Sequence, residues 1–556
     1  MTISLSRYLV AALSASGIDR AYCVPGESFL PVLDALYDSA IELVTCCHES
    51  SAGFMALADG RLTGVPGVCL VSRGPGATNA SIAVHTAQQD GVPMILFIGQ
   101  VPRRNLRRGA FQEIDYATMF GGIAKWVVEI RDPEQLPAAL ARALHVAING
   151  VPGPVVVSLP EDVLDEPIPE ATPRPVERAR TAPEPAAAAQ VGQWLKAARR
   201  PLIIAGGELG SGRGRETLME IATAHGIPVA VSFRRHDLFD NEHPLFAGEL
   251  GIFNTKPQIE ALRSADLIIA AGTRLNDLTT HGFTFPGSPY APQRFVHVYD
   301  DPTVIGLHVK PDIGAACSAE AFLRALAPPQ PSVAATRAAW AERLHAFQVA
   351  NAAWARRTAP DGVVFGNVTT ALRRRVKDDA VIVLDAGVSA ALTYRYFPFR
   401  PPMRLLATIG GPMGFGVPAA VATAMRLPGR QIVCIAGDGG FLMTGNELLA
   451  AVQRNLPIRV IVANNGSLGT IRVHQERMFP GRVIGTGLNS PDFAALARAF
   501  GCKDLVIARE DDIEPVLDAA FGHRGPVLVE VKASLSAALP ASARSGTVES
   551  VHASDN

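Results

Sequence analysis

The sequence predicts an α/β protein of three consecutive domains, each a doubly wound parallel sheet, and three observations carry that expectation. Short apolar runs alternate with helix-length segments: IELVTCC, GVCLVS and MILFIGQ early in the chain, RPLIIAGG and ADLIIAAG in the middle, AVIVLDAG, QIVCIAGDG and IRVIVANN toward the end. A strand that is apolar throughout has both faces covered, and helices between such strands are the crossovers that parallel pairing needs. Two stretches rich in proline and alanine, residues 165–190 and 327–340, read as linkers. The length of 556 residues is enough for roughly three or four cores, each able to bury its own apolar surface. The expected domains are residues 1–165, 190–327 and 360–535, with 536–556 as a mobile tail.

Composition narrows the function classes. With 51 basic and 52 acidic residues and a formal net charge of −1, the chain offers no global field for nucleic acid or an anionic membrane, so small molecules and other subunits are the expected partners. The seven cysteines form no CxxC pair and most sit in apolar runs, which fits buried reduced thiols in a cytoplasmic protein. SRYLVAALSASG reads as the first helix of the fold, with a short signal peptide as the minor alternative. No uncharged apolar run approaches 18 residues, so no membrane span is expected.

The chemistry concentrates in GDGGFLMTGNELLAAVQRNLPIRVIVANN, residues 437–465. QIVCIAGDGG reads as a buried strand ending in a glycine turn, TGNELLAAVQRN as the helix after it, and IRVIVANN as the next parallel strand. Asp438 and Asn465 then lie at the carboxyl ends of two strands in one sheet, where open α/β sheets place ligands. The amides of Gly439 and Gly440 favour an anion. Carboxylate, amide oxygen and backbone carbonyl on Mg²⁺, with diphosphate oxygens completing the octahedron, is the economical reading. A GDG alone is more simply a tight turn with an aspartate cap; the pair at this spacing points to the metal.

GDG followed after some 25 to 30 residues by NN resembles the thiamin diphosphate motif. The first domain adds VTCCHESSAGFMALADGRLTG around Glu49, CVPGES (23–28), RGPGATN (73–79), GQVPRR (99–104) and FQE (111–113). Together these resemble the thiamin diphosphate-dependent decarboxylases and carboligases, and within them the catalytic subunits of acetolactate (acetohydroxyacid) synthase, over residues 1–165 and 365–535 and more loosely between.

The resemblance implies a pyrimidine-binding first domain, a central domain and a diphosphate-binding third domain. It implies Asp438, the Asn465 side chain and the Ser467 carbonyl as metal ligands, and Glu49 as the hydrogen-bond partner of N1′ of the aminopyrimidine. His48 is read as structural. TIGGPMGFGVPAA (408–420) matches the loop that bends the cofactor, with Met413 as the support and the Gly411 carbonyl and Met413 amide on the pyrimidine. Gly387, Val388 and Ser389 in LDAGVSA, with Gly437, Gly439, Gly440, Leu468 and Gly469, are candidate cofactor contacts. Phe111 and Gln112 line the substrate side, whereas Glu113 and Lys125 read equally well as solvated surface. Each active site joins the first domain of one subunit to the third domain of another, so a homodimer is the minimum and a tetramer the larger expectation.

Two positions depart from the acetolactate synthase pattern. His474 stands where that group carries a tryptophan nine residues after the second Asn, and Leu278 in TRLNDLTTHG where it carries an arginine. Both touch substrate or acceptor selection. The resemblance also raises FAD in a non-redox role in the central domain; LIIAGGELG (202–210) and AAGTRLND (270–277) have strand-turn character, but neither is a GxGxxG fingerprint, and the turns of a ligand-free domain look the same. The expected activity is decarboxylation of a 2-oxo acid with transfer of the acyl unit to a second carbonyl. The alternatives are a simple 2-oxo-acid decarboxylase, an acyl-CoA-type lyase, or a cofactor-binding subunit without turnover, against which Glu49 argues.

Overall fold

A computed structural model describes residues 2–179, 181–326 and 335–537. Three six-stranded parallel sheets follow one another along the chain. All eight apolar runs named above are strands in them: Glu42–Thr45, Gly67–Val71, Met94–Gln100, Pro201–Ala205, Leu267–Ala271, Val381–Leu384, Ile432–Gly437 and Ile458–Asn464. Most of these are buried along their whole length, as strands covered by helices on both faces must be. Runs of mixed character supply edges instead, such as the half-buried Trp126–Glu129 and Lys503–Ile507.

Strand order separates the domains. Numbered within each domain, the first and third sheets share the order 2-1-3-4-6-5, while the central sheet runs 3-2-1-4-5-6. The latter is the dinucleotide-binding order, whose switch point falls between the first and fourth strands, here Pro201–Ala205 and Leu267–Ala271. Ligand crevices open at the carboxyl ends of strands flanking such reversals.

The first and third domains are locked together by two helices, Glu49–Thr63 and Gly416–Arg426. Phe54 and Phe415 meet edge to face at 5.8 Å in a dry core, each worth roughly 1.5–3 kcal/mol of burial. Arg426 crosses the same seam, its guanidinium bidentate on Asp59 (2.5 and 2.8 Å) and on Asp19 (2.7 and 2.8 Å). On its other side the helix Glu49–Thr63 packs within the first domain, where Gly53 is required because a Cβ would stand 2.4 Å from that of Ala83.

The proline-rich stretches carry structure of their own. Pro167–Pro169 pairs antiparallel with Thr2–Ser4, and the helices Pro185–Ala197 and Ala338–Ala352 begin inside the two stretches. Residues 327–334, and the expected tail beyond residue 537, lie outside the described residues. Leu5–Ala15 is a helix whose apolar side is buried in the first domain. Among the described residues no helix is long and apolar enough to cross a membrane. All seven cysteines are free; six are buried and Cys47 is exposed.

Candidate active site

The strand Ile432–Gly437 runs straight into a helix, Asp438–Thr444, so the glycine turn expected after the strand is a helical first turn. The single helix expected over TGNELLAAVQRN is broken into a 3₁₀ turn, Gly445–Glu447, and a short helix, Leu448–Gln453. Close packing explains the two glycines after Asp438. A Cβ at Gly439 would stand 2.9 Å from Leu468 Cδ2 and 3.0 Å from Met413 Cε, and one at Gly440 would stand 2.6 Å from Asp385 Oδ1.

Asp438 is 3 % exposed. Its Oδ1 accepts from its neighbour's amide at Gly439 (2.9 Å) and its Oδ2 from the Gly466 amide (2.8 Å) and Ser490 Oγ (3.2 Å). Burial raises its pKa against the pull of these donors. Asp438 thereby ties its own strand to the loop that follows the neighbouring strand, Ile458–Asn464. In that loop Asn465 Oδ1 accepts from the Ser467 amide (3.0 Å), and Leu468 N–H and Ser467 Oγ both donate to the Thr486 carbonyl (2.8 and 2.9 Å). Gly469 must be bare, because a Cβ there would press on Asn465 Nδ2 at 2.8 Å. The result is one carboxylate and a pinned loop of neutral oxygens at adjacent strand tips. Among the described residues no three His, Cys, Asp or Glu converge as metal ligands. A cation here would rest on a single protein carboxylate.

A second buried carboxylate, Asp385, ends the strand Val381–Leu384 next door. It accepts the Ala386 amide (2.7 Å), the Gly414 amide on both oxygens (3.0 and 3.1 Å) and the Gly416 amide (2.8 Å). Burial nevertheless pushes its pKa up to about 6. Asp385 thus fixes the turn just after Met413, whose methyl group lies over Gly439. Gly411 adopts φ +62°, a conformation that favours glycine. Sequence reasoning passed over Asp385, although LDAG closes a continuous apolar strand just as AGDG does. Ser490 carried no such signal.

Beside Asp385, Gly387 has φ +119° and precedes the helix Val388–Tyr396, in which Val388 and Ser389 are buried. A Cβ at Gly387 or Gly437 would meet nothing within 4 Å. These two glycines, beyond and at the carboxyl ends of neighbouring strands, therefore border open space rather than packed side chains.

In the first domain Glu49 opens the helix Glu49–Thr63, capped by His48, whose Nδ1 accepts from the Ser50 amide (3.1 Å). Glu49 Oε2 accepts from Asn79 Nδ2 at 2.9 Å, and Gly76 leaves room for Oε1. Phe111 is 75 % exposed and Gln112 holds φ +63° against Gly74. Glu113 accepts the amides of Arg107, Arg108 and Ala110, and Lys125 Nζ donates to the carbonyls of Val146 and Asn149 (both 2.6 Å), so both serve the fold locally. His474 is exposed on the helix Gly469–Met478 and pairs with Arg477 at 3.0 Å.

A cleft with about 1140 Å³ of open space lies at the switch point of the central sheet. Both turns singled out in the sequence line it, through Gly207 and Glu208 and through Gly272 to Arg274. Six arginines (61, 178, 215, 235, 274 and 404) line it with three acids, Asp90, Glu208 and Asp237, and Arg178 is further paired with Asp300 at 3.1 Å. Burial pushes the Glu208 carboxyl up to about 7, which leaves the surplus more positive still. The cleft reaches the third domain: Ile409 N–H donates to Asp90 Oδ1 (2.6 Å), Arg61 and Arg235 donate to the Ala407 carbonyl, and Arg234 to that of Thr408. Part of its wall, Arg404, Leu405 and Ile409, is therefore the segment leading into Gly411 and Met413.

The comparisons with known proteins agree with this architecture. Residues 3–119 match the family described as thiamine pyrophosphate enzyme, N-terminal TPP binding domain, residues 188–326 its central domain and residues 385–531 its C-terminal TPP binding domain. The chain belongs to the thiamine pyrophosphate enzyme family and is a thiamin diphosphate-dependent enzyme. Within that family it is similar to acetolactate synthase large subunits. It is 31% identical to the isozyme 2 large subunit of Escherichia coli, covering 95% of each chain. It is 32% identical to the acetolactate synthase large subunit of Parasynechococcus marenigrum, covering 95% of this chain and 87% of the other. The corresponding values for the large subunit of Haemophilus influenzae are 31%, 95% and 93%.

Proposed function

We propose that this enzyme decarboxylates a 2-oxo acid such as pyruvate and ligates the acyl unit to a second carbonyl, with thiamin diphosphate anchored through Mg²⁺. The observation that carries the reading is the junction at the tips of two adjacent strands, where buried Asp438 meets the pinned loop of Asn465, Ser467 and Leu468. Carboxylate, amide and carbonyl oxygens are the hard donors that Mg²⁺ prefers, and it usually takes few protein ligands beside substrate phosphate. The open space before Gly387 and Gly437 suits a diphosphate, which Val388, Ser389, Gly439, Gly440 and Gly469 would border.

When bound, thiamin diphosphate supplies the electron sink for decarboxylation. The protein's part is orientation and proton control. Asp385 holds the turn after Met413, and Met413 and the Gly411 carbonyl take the pyrimidine side. Glu49, steadied by Asn79, holds the proton at N1′. Phe111 and Gln112 face substrate.

Glu49 and Asp438 belong to different active sites of a homodimer in this reading. Within one chain the loop before Glu49 touches Asn446 and Glu447, so the helix Asp438–Thr444, about 10 Å long, intervenes. Ile82, Leu442, Met443 and Leu449 are exposed, as a surface covered by a second subunit would require.

For the central cleft the reading is FAD, held through its diphosphate by the arginine surplus. At a hundredfold excess over its Kd such a ligand should stabilise the protein by about 2.7 kcal/mol. A thermal melt with FAD should show that upward shift, and an unchanged melt at saturating FAD removes flavin from the account.

The activity is tested by incubating the protein with thiamin diphosphate, Mg²⁺ and paired 2-oxo acids and aldehydes, with CO₂ and coupled products followed by mass spectrometry. Coupled products support carboligation; CO₂ with free aldehyde alone assigns a simple decarboxylase. His474 bears on the acceptor. An exposed imidazole offers no apolar wall, and one methylene in an apolar pocket is worth roughly 1–3 kcal/mol. The wild type should therefore show little preference for 2-oxobutanoate over pyruvate, and His474→Trp should raise it with cofactor binding intact. Strong wild-type selectivity, or an unchanged mutant, takes His474 out of the pocket.

A further inference from the structure

Glu447 lies nine residues beyond Asp438, in the 3₁₀ turn Gly445–Glu447 of the third domain, and is fully buried. Its Oε1 accepts the backbone amide of Cys47 at 2.7 Å, 400 positions away in the first domain. Cys47 immediately precedes His48, the cap of the helix that begins at Glu49. The contact is reinforced by the Cys47 thiol on the Asn446 carbonyl at 3.7 Å. The second oxygen of Glu447 and the hydroxyl of Ser51, in the first turn of that helix, are both buried without a well-formed hydrogen bond, although the Ser51 hydroxyl and the His48 amide lie toward the carboxylate. Burial raises the Glu447 pKa, and the Cys47 amide opposes it. Burying a carboxylate costs free energy that its hydrogen bonds must offset. Here one such bond reaches the backbone two residues before Glu49.

We propose that Glu447 is a positioning residue for Glu49: it fixes, from the domain that carries the metal motif, the backbone on which the proton-holding carboxylate of the first domain stands. The inference rests on the role given to Glu49 above. The seam links the two halves of the fold. The helix after Asp438 ends against the cap of the helix that starts with Glu49, so the orientation of Glu49 depends on how the third domain seats on the first. Nothing in the local sequence HESSAG supplies this restraint, because His48 Nδ1 is engaged by the amide (3.1 Å) and hydroxyl (2.7 Å) of Ser50 and leaves the Cys47 amide to Glu447.

The test is the rate of C2 proton exchange in bound thiamin diphosphate, measured by NMR after a deuterium jump with cofactor and Mg²⁺ saturating, together with the cofactor Kd. A merely structural loss lowers affinity or melting temperature but leaves exchange at saturation unchanged. Misplacing a reacting group by a fraction of an ångström to one ångström typically costs up to about a hundredfold. Glu447→Ala should therefore slow exchange by roughly 10- to 100-fold. Glu447→Asp, which keeps the charge but retracts the acceptor, should slow it as well and decides the matter alone if the alanine variant does not fold. Glu447→Gln keeps an oxygen for the Cys47 amide and adds a donor for Ser51, so it should stay near the wild-type rate. Wild-type exchange in Glu447→Ala or Glu447→Asp, with Glu49→Gln slow in the same assay, overturns this inference alone. Wild-type exchange in Glu49→Gln overturns both the role of Glu49 and this inference.

Discussion

Replacing Glu49 by Gln is expected to slow exchange of the C2 proton of bound thiamin diphosphate by about 10² to 10⁴, the usual range for loss of a general acid-base group. The substitution preserves size, and Asn79 Nδ2 can still donate to the remaining oxygen, at the 2.9 Å contact Glu49 makes now. What is lost is a group that can give and take a proton at N1′. Helix Glu49–Thr63 is held by its core residues and by the Cys47 and His48 contacts, so stability should change little. Cofactor affinity should also be nearly unchanged, since the diphosphate end is held in another domain. Unchanged exchange would move the catalytic carboxylate elsewhere.

The second large effect is on the metal. Asp438→Ala removes the carboxylate that joins the tips of Ile432–Gly437 and Ile458–Asn464 and releases the Gly466 amide and Ser490 hydroxyl that it holds. Changes even to residues behind metal ligands typically cost 10- to 100-fold in affinity, so loss of a direct ligand should cost at least about a hundredfold in the apparent affinity for cofactor and Mg²⁺. Asp438→Asn keeps an acceptor for Gly466 but not the charge, and should fall between wild type and the alanine variant. In the wild type EDTA should strip the cofactor. Equal cofactor retention by wild type and Asp438→Ala, with and without chelator, rejects the metal assignment.

The sheets, and the places of Asp438 and Asn465 at the tips of two neighbouring strands, were legible in the sequence for the same reason. Strands buried on both faces are continuous apolar runs, and a polar residue that ends one stands out, as Asp438 and Asn465 do. Asp385 ends such a run too, but its function is visible only through the amides of Gly414 and Gly416, about thirty residues on. The arginine cleft was illegible because Arg61, Arg235 and Arg404 come from three different domains and meet only once the domains dock. The reversal of strand order that places the cleft is likewise non-local. Glu447 was hidden most completely, its partner amide lying 400 positions away. The broken helix after Asp438 has a local cause: bare Gly439 and Gly440 let the chain coil tightly under Met413 and against Asp385, so the helix starts earlier and ends sooner than the apolar pattern implies.

In the proposed reading Glu49 of one subunit and Asp438 of another complete a single thiamin diphosphate site. Mixing the two inactive variants tests it most directly. Equal amounts of Glu49→Gln and Asp438→Ala are unfolded and refolded together, or co-expressed, and CO₂ release from pyruvate is measured with cofactor and Mg²⁺ in excess. In a mixed two-fold dimer one site receives both substitutions and the other receives neither, so random pairing should restore about a quarter of wild-type activity. If Glu49 and Asp438 of the same chain shared a site, every site would carry one substitution. The mixture would then stay as inactive as its components, and that result contradicts the account.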